Sequence, residues 1–304
     1  MRFGIIPPVR AGITADPVWM TSFARHAEAC GFESVVLVEH AVVVSAYEST
    51  YPYSSSGKMP LPDDCPIPDP LDLMAYLAAV TESITLATGV LVLPNHQAVV
   101  LAKRIAIVDA LSKGRVRMCV GVGWMDEELR ATGADPRTRG KRTDESIAAM
   151  RLLWAESGPD GASFDGQFVS FHHAHCFPKP FRAGGVPIHI GGHSEAAARR
   201  AGRVGDGFQP LGLTPDEVRT RVVQMRDAAE QEGRQPDDIE ISLSGYLPTT
   251  SEDTVAEAVS LGADRLIVST SIIDDLDKIN DEMSVFAERM GLNGTATTAR
   301  DGAE

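Results

Sequence analysis

Gly184-Gly185-Val186-Pro187-Ile188-His189-Ile190-Gly191-Gly192-His193-Ser194-Glu195-Ala196-Ala197-Ala198-Arg199-Arg200-Ala201-Gly202 reads as strand, turn and helix. Ile188 to Ile190 is a short apolar strand, Gly191-Gly192 permits a tight turn with positive φ, and Ser194 can cap the alanine-rich helix that follows. A junction of this kind leaves the first helical N–H groups unpaired and points the positive end of the helix dipole outward. Two residues without Cβ let an anion approach the main chain. The turn is therefore a candidate phosphate site, and local sequence alone equally suits an ordinary turn whose glycines serve geometry.

The same unit recurs in both directions along the chain. Arg2 to Ile6 is a strand, and Asp16-Pro17 starts a helix with Met20, Phe23, Ala24, Ala27 and Cys30 at helical spacing. Ser34 to Val38 is a second strand ending in Glu39-His40. A connection over residues 41–69 follows, rich in Ser, Tyr and Pro and too long for an ordinary loop, so it is read as a lid or substrate wall. Asp69-Pro70 starts the next helix. Ile84 to Leu93 is a strand whose Gly89 suggests a bulge or close ligand approach, and Arg115 to Gly123 is a fourth strand ending in alternate glycines. Trp124 to Glu128 opens a helix, Asp144 to Ala155 is a longer amphipathic one, and residues 158–185 form an insertion with a hairpin about Asp165-Gly166. Beyond the opening stretch come strands at Asp206 to Gln209, Ile239 to Leu243 and Arg265 to Ser269, each followed by a helix. Eight strands alternating with helices predict an α/β fold, a (β/α)₈ TIM barrel, with an open doubly wound sheet as the competing architecture. The expected organisation is one barrel domain over residues 1–290 and a disordered polar tail over 291–304.

The composition limits what such a chain can do. Its 304 residues are 43% hydrophobic, enough for one large core, and its net charge of −14 argues against a nucleic-acid partner. The most apolar stretch, Met74 to Leu93, is interrupted by Glu82, Ser83 and threonines, so no membrane span is expected. Cys30, Cys65, Cys119 and Cys176 show no paired spacing, which suits reduced thiols and a cytoplasmic location. His172, His173, His175 and Cys176 resemble metal ligands by composition. On a strand, however, they divide between two faces, so no metal site is expected there. Gly121-Val122-Gly123 lacks the third glycine of a dinucleotide fingerprint.

In a barrel, chemistry sits where strands end and helices begin, which selects Glu39-His40, Thr88-Gly89-Val90, Gly121 to Asp126 and Gly191 to Ser194. Several pieces occur in order: Ala27 to Ser34 with Val38-Glu39-His40, Thr88 to Pro94, Ala102-Lys103 through Leu111 to Arg115, Gly121 to Trp124, Arg151 to Trp154, and Ile190 to Ser194 through Ala201 to Gly207. In this arrangement the chain resembles the bacterial luciferase-like monooxygenase superfamily, and within it the branch that uses the deazaflavin coenzyme F420. The resemblance covers about Phe3 to Pro210 and fades beyond it.

That resemblance implies a cofactor at the strand C-terminal ends, with a cis non-proline peptide at Gly89-Val90 supporting the ring from behind. It implies phosphate contacts at Gly191, Gly192, His193 and Ser194, and further cofactor contacts from Thr88, Gly121, Gly123 and Trp124. His40 matches a histidine that contacts the ring and is a candidate acid, base or charge stabiliser, and Asp126 is the companion candidate at the mouth of the fourth strand. Asp126 stands near a position where sugar-phosphate dehydrogenases of the family carry glutamate. The chain also has Val42-Val43-Val44 in place of a tryptophan after His40, and no carboxylate between Pro7 and Ala15, which counts against sugar-phosphate oxidation.

The function so implied is hydride transfer between F420 and a small organic substrate held under the 41–69 loop. The alternatives are an FMN-dependent monooxygenase fed by a separate reductase, or a non-catalytic flavin-binding protein. A homodimer is the expected assembly.

Overall fold

The structure, a computed structural model, describes residues 1–292. The elements run β1 (Arg2–Ile6), α1 (Pro17–Ala29), β2 (Ser34–Leu37), α2 (Pro70–Val80), β3 (Thr85–Thr88), β4 (Leu91–Val92), α3 (Ala98–Leu111), β5 (Val116–Gly121), α4 (Asp126–Ala131) and α5 (Arg139–Ala155). They continue with the hairpin β6 (Ala162–Asp165) and β7 (Ser170–Ala174), then β8 (Ile188–Gly191), α6 (Glu195–Val204), β9 (Gly207–Gln209), α7 (Pro215–Gln231), β10 (Glu240–Tyr246), α8 (Glu252–Ser260), β11 (Arg265–Ser269) and α9 (Leu276–Arg289).

Apart from the antiparallel hairpin, every strand pair is parallel. The order β3-β2-β1-β11-β10-β9-β8-β5-β4 closes through an additional β3–β5 pairing. With β3 and β4 taken as one strand broken at Gly89-Val90, this is an eight-stranded barrel ringed by helices, not an open sheet.

Strand alternation divides the core. Ile5, Val35, Leu37, Leu86, Leu266 and Val268 face outward into the large cluster shared with the helices, while Val36, Ala87 and Ile267 form a separate cluster joined by Ile6. Three helices begin where the sequence says they should. The Asp16 and Asp69 carboxylates accept from the first free amides of α1 and α2, each with proline at the start, and Thr214 and Glu217 close a capping box on α7.

Some boundaries differ from the sequence reading. The third strand is two pieces, with the cis peptide between Gly89 and Val90 lying between them. Helix α5 starts at Arg139, not near Asp144, since the turn Pro136–Thr138 runs straight into it, and β10 continues to Tyr246. The tail expected at 291–304 falls, from residue 293 onward, outside the described residues.

The N-terminal end of the barrel is sealed by ions. Arg265, almost wholly buried, donates to Glu33 (2.9 Å), Ser242 (3.0 Å) and Glu240 (3.1 Å), while Arg117 pairs with Glu33 and donates to Ser34 at 2.8 Å. His189 lies in the same plug, 3.6 Å from Glu240. Burial, reinforced by Arg117 and Arg265, pushes this imidazole down to about 3, so it is neutral in the folded protein at neutral pH. Among the described residues, no helix is long and apolar enough to cross a membrane, and no group of three or more His, Cys, Asp or Glu could share a metal ion.

Candidate active site

At the opposite end the strands stop short of one another and leave a cavity of about 780 Å³. Every barrel strand reaches it at or just beyond its C-terminal end, through Ile6, Glu39-His40, Gly89-Val90, Gly121, Gly191, Gln209, Tyr246 and Ser269.

The back wall is the bulge between β3 and β4. Val90 projects where β5 and β8 end in glycine, and a Cβ on Gly121 or Gly191 would stand 2.8 Å or 2.5 Å from its methyl groups. Those two glycines therefore seat Val90, and any larger residue would push the bulge into the cavity. Glu39 holds the bulge from the strand-two side: one carboxylate oxygen accepts from the Val92 amide, and the other meets His96 Nε2 at 2.6 Å. Glu39 is buried, so its carboxylate depends on this pairing.

His40 stands beside the bulge. Its Nδ1 lies 3.1 Å from Glu128 Oε2, and the other oxygen of this buried carboxylate accepts from the Ala41 amide at 2.6 Å. A carboxylate accepts, so Nδ1 carries the hydrogen and Nε2 is the ring nitrogen left for a ligand. Trp124 packs edge-on against the imidazole, with centroids 6.1 Å apart.

The far wall is the turn from β8 into α6. Gly192, with φ at 128°, turns the chain from β8 into α6, and Ser194 Oγ accepts from Ala197 N at 3.2 Å, leaving the amides before it directed past the helix start. Arg139 and Arg200 line the same region. Asp126 holds the first (3.0 Å), while Asp144 (2.5 Å) and the Gly140 carbonyl (3.1 Å) hold the second.

Residues 41–69 cover the mouth. Tyr47 and Tyr51 pack edge-on against Trp124 at 5.2 Å and 5.0 Å, Tyr53 continues the row, and its hydroxyl is 3.4 Å from His193 Nδ1. The segment is tied down by Glu127, which accepts from the Glu48 amide (2.8 Å) and the Ser49 hydroxyl (2.7 Å). Burial pushes the Tyr53 phenol up to about 12, so it donates hydrogen bonds and carries no charge at neutral pH.

Of the residues singled out from sequence, His40, Gly89, Val90, Gly121, Gly123, Trp124, Gly191, Gly192, His193 and Ser194 all line this cavity. Thr88 does not. Alternation turns it the same way as Leu86, and its hydroxyl instead bridges β3 to β5 through the Cys119 carbonyl (2.7 Å) and amide (2.9 Å). Asp126 is also outside the lining, with its oxygens on Arg130 (3.3 Å) and Arg139. Sequence reasoning passed over Glu128, Arg10, Arg139, Arg200 and Gln209. Two of these carried a local signal: Gln209 ends a strand, and Arg200 follows Ala196 by one helical turn and so shares the face of the α6 start.

The comparisons identify the family and the fold. The family profile described as luciferase-like monooxygenase matches residues 1–302, and the chain belongs to that family, whose members are oxidoreductases and monooxygenases. An uncharacterized protein of Mycobacterium tuberculosis is 36% identical over 170 residues, 55% of this chain and 58% of that protein, so the chain spans little more than half of that relative's length. The FMNH2-dependent dimethylsulfone monooxygenase of Pseudomonas putida is 29% identical over 60% of this chain and 49% of its own length. The F420-dependent glucose-6-phosphate dehydrogenase of Nakamurella multipartita is 28% identical over 77% of this chain and 66% of its own. Among solved structures, an F420-dependent secondary alcohol dehydrogenase with an F420-acetone adduct superposes with a TM-score of 0.75 at 17% identity, covering 96% of this chain and 98% of that one, a likeness of fold.

Proposed function

We propose that this chain is an F420-dependent oxidoreductase that moves a hydride between the deazaflavin and a small organic substrate. The observation that carries the reading is His40, fixed through Nδ1 by buried Glu128 beside the Gly89-Val90 bulge, with Nε2 left for a ligand. Oxidising an alcohol or reducing a carbonyl by hydride also moves one proton, and an imidazole held in one orientation is suited to take or give it.

The residues present fit such a cofactor. The bulge on its glycine seat offers a flat back wall, and the α6 start with Arg139 and Arg200 offers a phosphate site. When bound, the deazaflavin supplies the two-electron hydride chemistry. The protein's share is to orient the ring against Val90, keep His40 in one tautomer, and exclude water beneath Tyr51 and Tyr53.

Fluorescence titration of the purified protein with F420 and with FMN is the test, with tighter F420 binding expected. Tighter FMN binding would overturn the reading in favour of the monooxygenase chemistry of the dimethylsulfone relative.

A further inference from the structure

We infer that the cavity has a second anion pole, Arg10 with the Tyr51 hydroxyl, and that it takes the carboxylate of an organic-acid substrate. The inference rests on the functional reading above and names the class of substrate.

The cavity lining contains three arginines, and two of them are committed. Arg139 and Arg200 are paired with Asp126 and Asp144 beside α6, whereas Arg10 makes no ion pair among the described residues. Arg10 follows β1, and β1 and β8 lie four strands apart in the closed ring of eight. The two poles therefore face each other across the barrel. A cofactor phosphate at α6 leaves Arg10 for a different anion.

The turn that carries Arg10 is fixed, while the side chain itself is exposed at the rim. Pro7 and Pro8 stiffen the approach to its turn, and Gly12 closes the turn with φ at 72° and a bond to the Val9 carbonyl at 2.9 Å. The far end of the lid then clamps it: Cys65 donates to the Val9 carbonyl (3.2 Å), and the Thr14 hydroxyl reaches the Pro66 carbonyl (3.4 Å). Tyr51, in the same lining, has its phenol raised by burial and drawn back by the charge of Arg10, so the two groups sense each other. A guanidinium and a phenol hydroxyl are complementary to a carboxylate. Around them the lining is apolar, with Pro8, Met59, Leu61, Ile67 and Ile272, which fits a hydrocarbon body attached to that carboxylate. The placement also offsets a general handicap, because a chain of net charge −14 repels anions unless a local cation draws them in.

The test is a matched pair of ligands, 3-phenylpropanoate and 3-phenylpropan-1-ol. Each is titrated against the protein with and without F420 and read by quenching of tryptophan fluorescence, since Trp124 touches Tyr51 and the other tryptophans are buried elsewhere. The acid is expected to bind about tenfold tighter than the alcohol. In Arg10→Gln that preference should disappear, with alcohol binding, F420 binding and melting temperature unchanged. An acid that binds no tighter than the alcohol, or a preference that survives Arg10→Gln, would overturn the inference. So would a tenfold loss of F420 affinity in Arg10→Gln, which would assign Arg10 to the cofactor's own carboxylates. An FMN preference in the cofactor titration would sink the hydride-transfer reading while the acid and alcohol comparison in cofactor-free protein still returned its own answer.

Discussion

Both ends of this barrel carry networks of charged side chains, and they differ in whether every group is used. At the N-terminal end Arg117, Arg265, Glu33 and Glu240 satisfy one another with Ser34 and Ser242. At the C-terminal end some groups keep capacity free: Glu128 takes Nδ1 of His40 and leaves Nε2, while Arg139 and Arg200 also line the cavity. The same residue types build stability at one end and chemistry at the other. What separates the ends is whether protein partners exhaust the hydrogen-bonding capacity.

The largest expected effect is at the open end. His40→Ala should lower kcat by a factor on the order of 10²–10⁴, with F420 affinity changing modestly and the melting temperature falling, because buried Glu128 loses its imidazole partner. Steady-state kinetics beside a cofactor titration checks this. Full turnover by the folded variant would move the proton to solvent, the substrate or Tyr51, and would make His40 resemble the closed end.

Glu33→Gln addresses that closed end. It leaves Arg117 and Arg265 buried without their shared carboxylate, so stability should fall by about 3–5 kcal/mol in urea denaturation, while kcat per folded molecule stays unchanged. The network also sets an acid limit. Burial alone would push Glu33 up, but Arg117 and Arg265 outweigh it and hold it at about 2, below its unfolded value. Its contribution is therefore present above the unfolded pKa and lost as pH falls toward about 2. His189, held down to about 3, acts with the same sign, because the unfolded chain takes up a proton below its ordinary value of 6.5 and the folded one does not. Stability of the native protein should begin to fall below about pH 6.5 and steepen below about pH 4.5. A flat stability profile from pH 7 to 4 would contradict the plug.

The smallest effect is expected at Asp126, whose ion pairs with Arg130 and Arg139 are partly solvated. Asp126→Asn should change stability by less than about 1 kcal/mol and F420 affinity by a few-fold at most. A loss of turnover comparable to that of His40→Ala would instead restore Asp126 as a proton donor and blur the contrast between its paired carboxylate and the half-used His40.

Much of the site was legible because barrel chemistry gathers at strand ends, and strand ends can be read from short apolar runs followed by glycine or a capping residue. Gly191, Gly192, His193 and Ser194 were found that way, as was His40. Thr88 was misplaced by one step of the strand period: position near the bulge was read correctly, but side-chain direction was not. Glu128 was invisible since its partner is His40, 88 residues away, and only the docking of α4 against the start of the lid joins them. Gly121 and Gly191 were chosen as ligand contacts, and they line the cavity, yet the structure shows a second reason for them in Val90.

The sequence by itself determined the alternation of strands and helices, the capped helix starts at Pro17, Pro70 and Pro215 and the strand-end residues, because these follow from local periodicity, capping and backbone freedom over a few neighbouring residues. The closed barrel was expected from eight alternating units, whereas tertiary structure alone decided which arginines face the cavity and which carboxylate holds which base. Those outcomes depend on side chains tens to hundreds of residues apart being brought within hydrogen-bonding distance, and no local pattern records the pairing.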